Sequence, residues 1–460
     1  MSKKKSKKNK KSMNPVNLLK QEAYSPEVKL SQCMIVKNEE KHIERALSWA
    51  KDIAYEQIVV DTGSTDRTVE IAESLGAKIF HFKWINDFSA AKNFAISKAK
   101  GNWIAFLDAD EYFLQEDANE LITILQKIQN NPISTKQYDA VENTMVHLDD
   151  KDNVIAVMTH LRIFKKDSHL KYNGKIHETI NIRNKTYSAT NLKIMHTGYA
   201  SSVYDDANKR ERNVELLRNE CKNNPDDPKM MIYLADSLKT LASEEAFKEA
   251  EELYIKALGY KNISDKAVRQ LAYDYLLPRF SGDERYSGGS KRKDEALKLC
   301  TEAIVEYPEN IDYRYYRAIL FNKAGEFTKA LEDLIVCENA FTIGDSLPVT
   351  RVLIPTPLPL FYQQKVAAKG LKDEQAVLKY STIINSIISE SKSQADIIGS
   401  YIISISVFGI NDDEVLLELT DVYDINNPKD LMFIARAAKD SGAIEFTRKI
   451  MEMLQILLNK

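Results

Sequence analysis

Residues 103–107, Trp-Ile-Ala-Phe-Leu, run apolar without a break and are followed at once by Asp108, Ala109, Asp110 and Glu111. A run of that length reads as a strand buried on both faces of a sheet. Three carboxylates within four residues at its end repel one another, and they are costly to hold there unless a cation or hydrogen-bond donors offset them. The stretch therefore predicts both an interior strand and a ligand at its carboxyl end.

Strand-like runs at Gln32–Val36, Gln57–Val60 and Ala77–Phe80 precede it, with helical stripes between. Ile43, Ala46, Leu47 and Ala50 share one face, then Val69, Ile71, Ala72 and Leu75, then Ala91, Phe94, Ala95 and Ala99 behind an expected N-cap at Asp87. This alternation predicts an open α/β sheet of parallel strands, whose ligands lie beyond the carboxyl ends. The first strand runs into Lys37-Asn38-Glu39-Glu40, the second into Asp61-Thr62-Gly63-Ser64-Thr65-Asp66, and the fourth into Asp108-Ala109-Asp110-Glu111, so all three polar clusters are expected on one edge. Singly, each has a plain structural explanation. Asn38 or Glu39 can start a helix, Thr65 or Asp66 can cap one, and a lone Asp-x-Asp is common. Their convergence is what points to a binding site.

These residues also carry a resemblance. Ile35–Glu40, Val60–Asp66, Ala90-Ala91-Lys92-Asn93 and Phe106–Glu111 are similar, in kind and order, to the motifs of family 2 glycosyltransferases with the GT-A fold, over about residues 30–200. The resemblance implies an α/β GT-A (Rossmann-like) catalytic domain, a nucleotide-sugar donor that is usually a UDP-sugar, a divalent Mg²⁺ or Mn²⁺, and transfer with inversion at the anomeric carbon. It further implies that Val36 and Glu39 border the nucleoside, with Asn38 and Ser64 on the same donor side, and that Asp61 hydrogen-bonds the base. Lys92 would approach the nucleotide where many relatives carry arginine, offering a point charge instead of a bidentate fork. Asp108 would lie near the ribose and the metal, and Asp110 would ligate the metal. Hard carboxylate oxygens suit such a cation, which stabilises a departing diphosphate. Inversion then needs only one general base on the acceptor.

Farther on, Arg162-Ile163-Phe164 reads as a short strand, followed by Tyr172-Asn-Gly-Lys-Ile-His177-Glu178 and by His196-Thr-Gly-Tyr199. This set resembles a branch of family 2 that includes lipopolysaccharide-core transferases and bacteriocin peptide transferases acting on Cys or Ser. By that resemblance Glu178 or His177 is the base and His196 a third metal ligand. For each histidine, a hydrogen bond to a loop is the structural alternative.

From about Ser202 the composition shifts to helix formers and the pattern to repeats. Ala296, Cys300 and Ala303 precede Pro308; Ala330, Leu334 and Cys337 follow Gly325; Ala250, Tyr254 and Ala257 form another copy. These resemble tetratricopeptide (TPR) repeats, which implies an all-α helical-repeat domain with a concave face for a peptide or protein acceptor, or for homodimerisation. Ser281–Arg292 reads as a flexible loop, and the proline-rich Leu353–Leu360 breaks the array. The expected division is a Lys-rich tail and linker at 1–28, a GT-A domain at 29–201 and the TPR-like domain at 202–460.

The totals set the remaining limits. With 64 Lys and Arg against 67 Asp and Glu the chain has no bias toward nucleic acid. The block of lysines from Lys3 to Lys11 reads as a solubilising tail, the alternative being loose attachment to anionic lipid or to an acidic partner. Cys33, Cys221, Cys300 and Cys337 are too scattered for a zinc site or disulfide framework, which favours a cytoplasmic location. No window matches a membrane span, and Ile397–Ile410, interrupted by Gly399 and three serines, reads as a buried helix. The first expectation is an inverting, metal-dependent glycosyltransferase acting on a peptide or protein Cys, Ser or Thr. The alternatives are a cell-envelope transferase with a lipid or saccharide acceptor, and a non-catalytic repeat scaffold.

Overall fold

The computed structural model describes residues 27–459 except 132, 134–136, 168, 198–206, 262, 264, 282–291, 343–352, 354–356 and 407–411. The lysine block, Tyr199 and most of the expected loop at 281–292 lie outside the described residues. The chain divides into two compact units, 1–225 and 226–460. Helix Ala207–Asn223, which the sequence reading grouped with the repeats, belongs to the first.

The first unit is built on an eight-stranded sheet. Its strands are β1 (Leu30–Val36), β2 (Glu56–Asp61), β3 (Lys78–His81), β4 (Trp103–Phe106), β5 (Glu111–Phe113), β6 (Tyr138–Leu148), β7 (Val154–Lys165) and β10 (Lys185–His196), while β8 (Tyr172–Asn173) and β9 (Thr179–Ile180) form a separate hairpin. The order is β3-β2-β1-β4-β7-β6-β10-β5. The first four are parallel, as the alternation predicts, and β7 joins β4 antiparallel. The sequence reading foresaw β7 only as the short strand around Arg162; it begins eight residues earlier, at Val154.

Burial explains the layering. Alternate residues of a strand face opposite sides. Cys33 packs with Ile58, Phe106 and Ala95 of helix α3 (Phe88–Lys98) on one side, and Met34 packs with Val59 and helices α1 (Ile43–Ser48) and α2 (Thr68–Ser74) on the other. Trp103 and Leu107 meet Leu121, Leu125 and Ile128, the apolar stripe of α4 (Gln115–Asn130). Helix α5 (Ala207–Asn223) closes this unit.

Asp87 caps α3 as expected, accepting a hydrogen bond from the Ala90 N–H at 2.8 Å. Asp87→Ala is expected to cost about 1 kcal/mol. In a unit of this size that is a fall of about 2–4 °C in thermal midpoint, read by circular dichroism.

The second unit is helical throughout its described residues: α6 (Pro228–Leu238), α7 (Glu244–Leu258), α8 (Lys266–Phe280), α9 (Lys293–Glu306), α10 (Asp312–Lys323), α11 (Phe327–Thr342), α12 (Leu358–Leu371), α13 (Glu374–Glu390), α14 (Ala395–Ser406), α15 (Asp412–Leu419), α16 (Pro428–Asp440) and α17 (Ile444–Leu458). Successive helices pair, α6 on α7, α10 on α11, α12 on α13 and α16 on α17. The small residues picked out in the sequence are the contact positions, with Ala250, Tyr254, Ala257, Ala296, Cys300, Ala303, Ala330, Leu334 and Cys337 all fully buried. Gly399 has a packing reason: a Cβ there would lie 2.6 Å from the Ala437 carbonyl oxygen, so glycine lets α14 and α16 approach. No helix among the described residues is long and apolar enough to cross a membrane.

Candidate active site

The sheet order reverses direction between β1 and β4, and there the carboxyl ends open a crevice. A cavity of about 580 Å³ lies at that edge. Val36, Glu39, Lys92, Asp108, Asp110, His177, Glu178 and His196 all line it, so residues up to 160 positions apart in the sequence share one chamber. Asn38, Asp61 and Ser64 do not line it. Asn38 and Ser64 tie the β1 and β2 loops together instead, the Asn38 N–H donating to Ser64 Oγ at 3.0 Å and the Thr65 N–H to Asn38 Oδ1 at 2.8 Å, while Asp61 braces its own loop by accepting from the Ser64 N–H at 2.9 Å. Burial would raise the Asp61 carboxyl, but the hydrogen bonds from Ser64 and Gly63 prevail and hold it below its ordinary range.

The carboxylates are offset as their repulsion requires, but by different means. Asp108 is clamped by two cations, Lys92 Nζ at 3.2 Å and an Arg162 nitrogen at 2.9 Å. Arg162 also pairs closely with Glu111, whose other oxygen accepts the Asp108 N–H at 3.0 Å. Lys92 in turn holds Glu178 at 2.7 Å. Burial pushes the Asp108 carboxyl up, yet the two cations overcome it and hold it well below the carboxylate range. For Glu111 burial wins, and its carboxyl is raised in spite of Arg162. Lys92 is raised by Asp108 and Glu178 although burial alone would lower it.

Asp110 is different. Among the described residues no Lys or Arg pairs with its side chain; its neighbour is His196, with Nε2 3.6 Å from Oδ2. Burial would lower the His196 imidazole, but the Asp110 carboxylate raises it, while His147, 2.7 Å away between Nδ1 atoms, is lowered by burial and by His196. The Asp110 backbone is fixed separately, its carbonyl accepting from the Thr197 N–H at 3.1 Å.

The sequence reading made Asp108, Asp110 and His196 a metal triad. The structure brings Asp110 and His196 together but spends both oxygens of Asp108 on Lys92 and Arg162. Among the described residues no three His, Cys, Asp or Glu side chains gather to hold an ion. The donor set still fits Mg²⁺ or Mn²⁺, which are commonly bound through one or two protein groups with phosphate oxygens and water completing the shell.

Glu178 and His177 sit on the turn from β8 to β9. Asn93 of α3 fastens that turn, its side chain donating to the Tyr172 carbonyl and accepting from the Tyr172 N–H, both at 2.9 Å. Gly174 has φ +95° and His177 φ +51°, the left-handed region that reverses the chain here. His177 is exposed, whereas Glu178 is half-buried against Lys92.

Sequence reasoning missed Arg162 and His147 as site residues, along with Trp84 and Phe88, whose rings meet edge to face at 4.9 Å on the cavity wall. Arg162 was visible as part of a short strand and of the family 2 resemblance, but with no role at the site. A positive charge buried in an apolar strand, downstream of an acidic cluster, was the available signal.

Residues 31–206 match the model of glycosyl transferase family 2. The chain is 27% identical over 346 residues to the SPbeta prophage-derived glycosyltransferase SunS of Bacillus subtilis, covering 72% of this chain and 78% of that protein. It is 30% identical over 285 residues to a TPR repeat-containing protein of Synechococcus elongatus, covering 58% of this chain and 67% of that one. Among solved structures, S. aureus TarS 1–349 aligns at 14% identity and a TM-score of 0.30 over 64% of this chain and 91% of that one.

Proposed function

For a chain that belongs to glycosyltransferase family 2, we propose an inverting, metal-dependent transfer of a sugar from a nucleotide-sugar, a UDP-sugar in the first instance, to a Cys, Ser or Thr of a peptide or protein. The observation that carries this reading is the unequal treatment of the carboxylates. Asp108, Glu111 and Glu178 are matched by Lys92 and Arg162, and Asp110 is left beside a histidine in a cavity wide enough for a nucleotide-sugar.

A Mg²⁺ or Mn²⁺ would be held by Asp110 and His196 together with the donor diphosphate, and it would neutralise charge on the leaving diphosphate. Val36 and Glu39 border the same chamber on the donor side, where Lys209 holds Glu39 at 3.3 Å. Trp84 and Phe88 supply an aromatic wall against which a base or sugar ring can lie. Lys92 engages one oxygen of Glu178, which leaves the second to accept the acceptor's proton. Of the two candidate bases this favours Glu178 over the exposed His177. The helical repeats of the second unit suit recognition of a polypeptide more than of a lipid.

The test is release of UDP from UDP-sugars by the full chain with Mn²⁺, with and without chelator. Metal-dependent release is expected, and Glu178→Gln is expected to reduce transfer to a peptide at least a hundredfold. Release that persists unchanged in excess chelator rules out the metal. Undiminished transfer by Glu178→Gln rules out that base.

A further inference from the structure

Strand β7 outruns its neighbour. β4 pairs with it only at Ile163, Phe164 and Lys165, because β4 ends at Phe106 and the chain turns away into Asp108–Asp110. On its other edge β7 pairs with β6 along almost its whole length, from Val154 opposite Leu148 to Phe164 opposite Ala140. Residues 154–161 thus have one edge paired with β6 and one edge that no strand covers among the described residues. At about 3.3 Å per residue this bare edge is roughly 26 Å long.

Its composition is unusual for an edge. Val154-Ile-Ala-Val-Met-Thr-His-Leu161 contains no Lys, Arg, Asp, Glu, Pro or Gly, the residues that ordinarily keep an open edge from pairing with another chain. Val154, Ile155, Val157 and Met158 are 59%, 52%, 60% and 44% exposed. A row of backbone N–H and C=O groups that meets no strand among the described residues, flanked by exposed β-branched side chains, is what an incoming strand needs.

The edge also leads somewhere. Met158 and His160, alternate residues of β7, line the cavity, as does Arg162 where the β6–β7 register shifts, so one face of the strand looks onto the site.

We propose that the bare edge of β7 binds an extended polypeptide segment as an added strand and so presents an acceptor side chain to the cavity. This rests on reading the cavity as the transfer site and specifies how the acceptor is held. Every second side chain of the added strand faces the side of Met158 and His160, so main-chain pairing carries the affinity. Only the side chain at the level of the cavity then needs particular chemistry, a thiol or hydroxyl. A saccharide or lipid has no ladder of amides to offer this edge. Continuity with the cavity favours a substrate over a second copy of the chain, whose pairing has no reason to end at the reacting groups.

The probe is a mixture of ten-residue peptides with a central Cys or Ser in a background of Val, Thr and Gln, added to the full chain at millimolar concentration while amide hydrogen exchange is followed. Exchange at alternate amides of residues 154–161 is expected to slow at least tenfold. N-methylating one alternate set of peptide amides is expected to abolish the effect, and N-methylating the other set to leave it. Ile155→Lys with Val157→Lys, both exposed and outside the cavity, is expected to weaken the protection at least tenfold while UDP release continues unchanged. The proposal is overturned by unchanged exchange along 154–161, by equal loss from the two N-methylated sets, or by protection that grows with protein concentration when no peptide is present. UDP release is read separately, so protection of the edge without metal-dependent release fails the transferase reading and leaves the docking surface standing.

Discussion

Replacing Asp110 with alanine is expected to lower metal-dependent UDP release by a factor of about 100 to 1,000, corresponding to roughly 3–4 kcal/mol of lost leaving-group stabilisation. The expectation follows from its position. Asp108 and Glu111 already have cations of their own, so neither can replace Asp110 without leaving Lys92 or Arg162 unpaired in a buried site. The same substitution is expected to change folding stability by no more than about 0.5 kcal/mol. Its carbonyl, not its side chain, makes the hydrogen bond to Thr197, and the side-chain partner is a histidine at 3.6 Å. The two measurements together are decisive: a well-folded Asp110→Ala protein that keeps full Mn²⁺-dependent release leaves the metal no place at this edge.

Arg162→Met is expected to do the reverse, affecting folding as well as activity. It strips a buried cation from both Asp108 and Glu111, and breaking a buried pair from one side typically costs about 3–5 kcal/mol. For a unit of this size that is a fall of about 10 °C in thermal midpoint. The loss carries a pH signature. Glu111 is already raised by burial, and removing Arg162 raises it further, so the folded variant holds that proton to higher pH than the wild type does. A carboxyl raised on folding contributes stability below its ordinary range and loses it as pH rises through the folded value. The gap between wild type and variant should therefore narrow as pH falls from 7 to 5, measured by thermal melts followed by circular dichroism. Asp108 has the opposite sign. Held well below its ordinary range by Lys92 and Arg162, it stabilises the folded protein above about pH 4 and loses that contribution under stronger acid. A gap that stays constant or widens between pH 7 and 5 would show that Glu111 is not the group left without its cation.

The sequence was most informative where local chemistry and chain order coincide. The strands, the helices between them and the Asp87 cap are set by periodicity and by short-range hydrogen bonding, and both are written in adjacent residues. The convergence of Glu39, Asp108 and Asp110 on one edge follows from parallel strands alone, since parallel strands end on the same side. The repeats were legible for a similar reason, because Ala250, Ala303 and Ala330 mark close helix contacts whatever lies around them.

Pairings across the sheet were not legible. That Asn38 and Ser64 would join two loops, and not line the cavity, depends on a separation of about 3 Å between residues 26 apart in sequence. Antiparallel β7 had only its last few residues recognised. Its first eight residues are mostly exposed and so lack the alternation of a half-buried strand.

The sequence by itself determined that an interior strand ends in three carboxylates requiring compensation, that the strand is one of four parallel strands in an α/β sheet, and that a helical repeat unit follows. Only the tertiary structure decided how each carboxylate is compensated: Asp108 and Glu111 by Arg162, Asp108 and Glu178 by Lys92, and Asp110 by a histidine. The reason is range. Repulsion among neighbouring carboxylates is a local fact that spacing reveals, whereas the cations that relieve it arrive from α3 and β7, and their choice among acidic partners is fixed by distances of a few ångströms that packing alone sets.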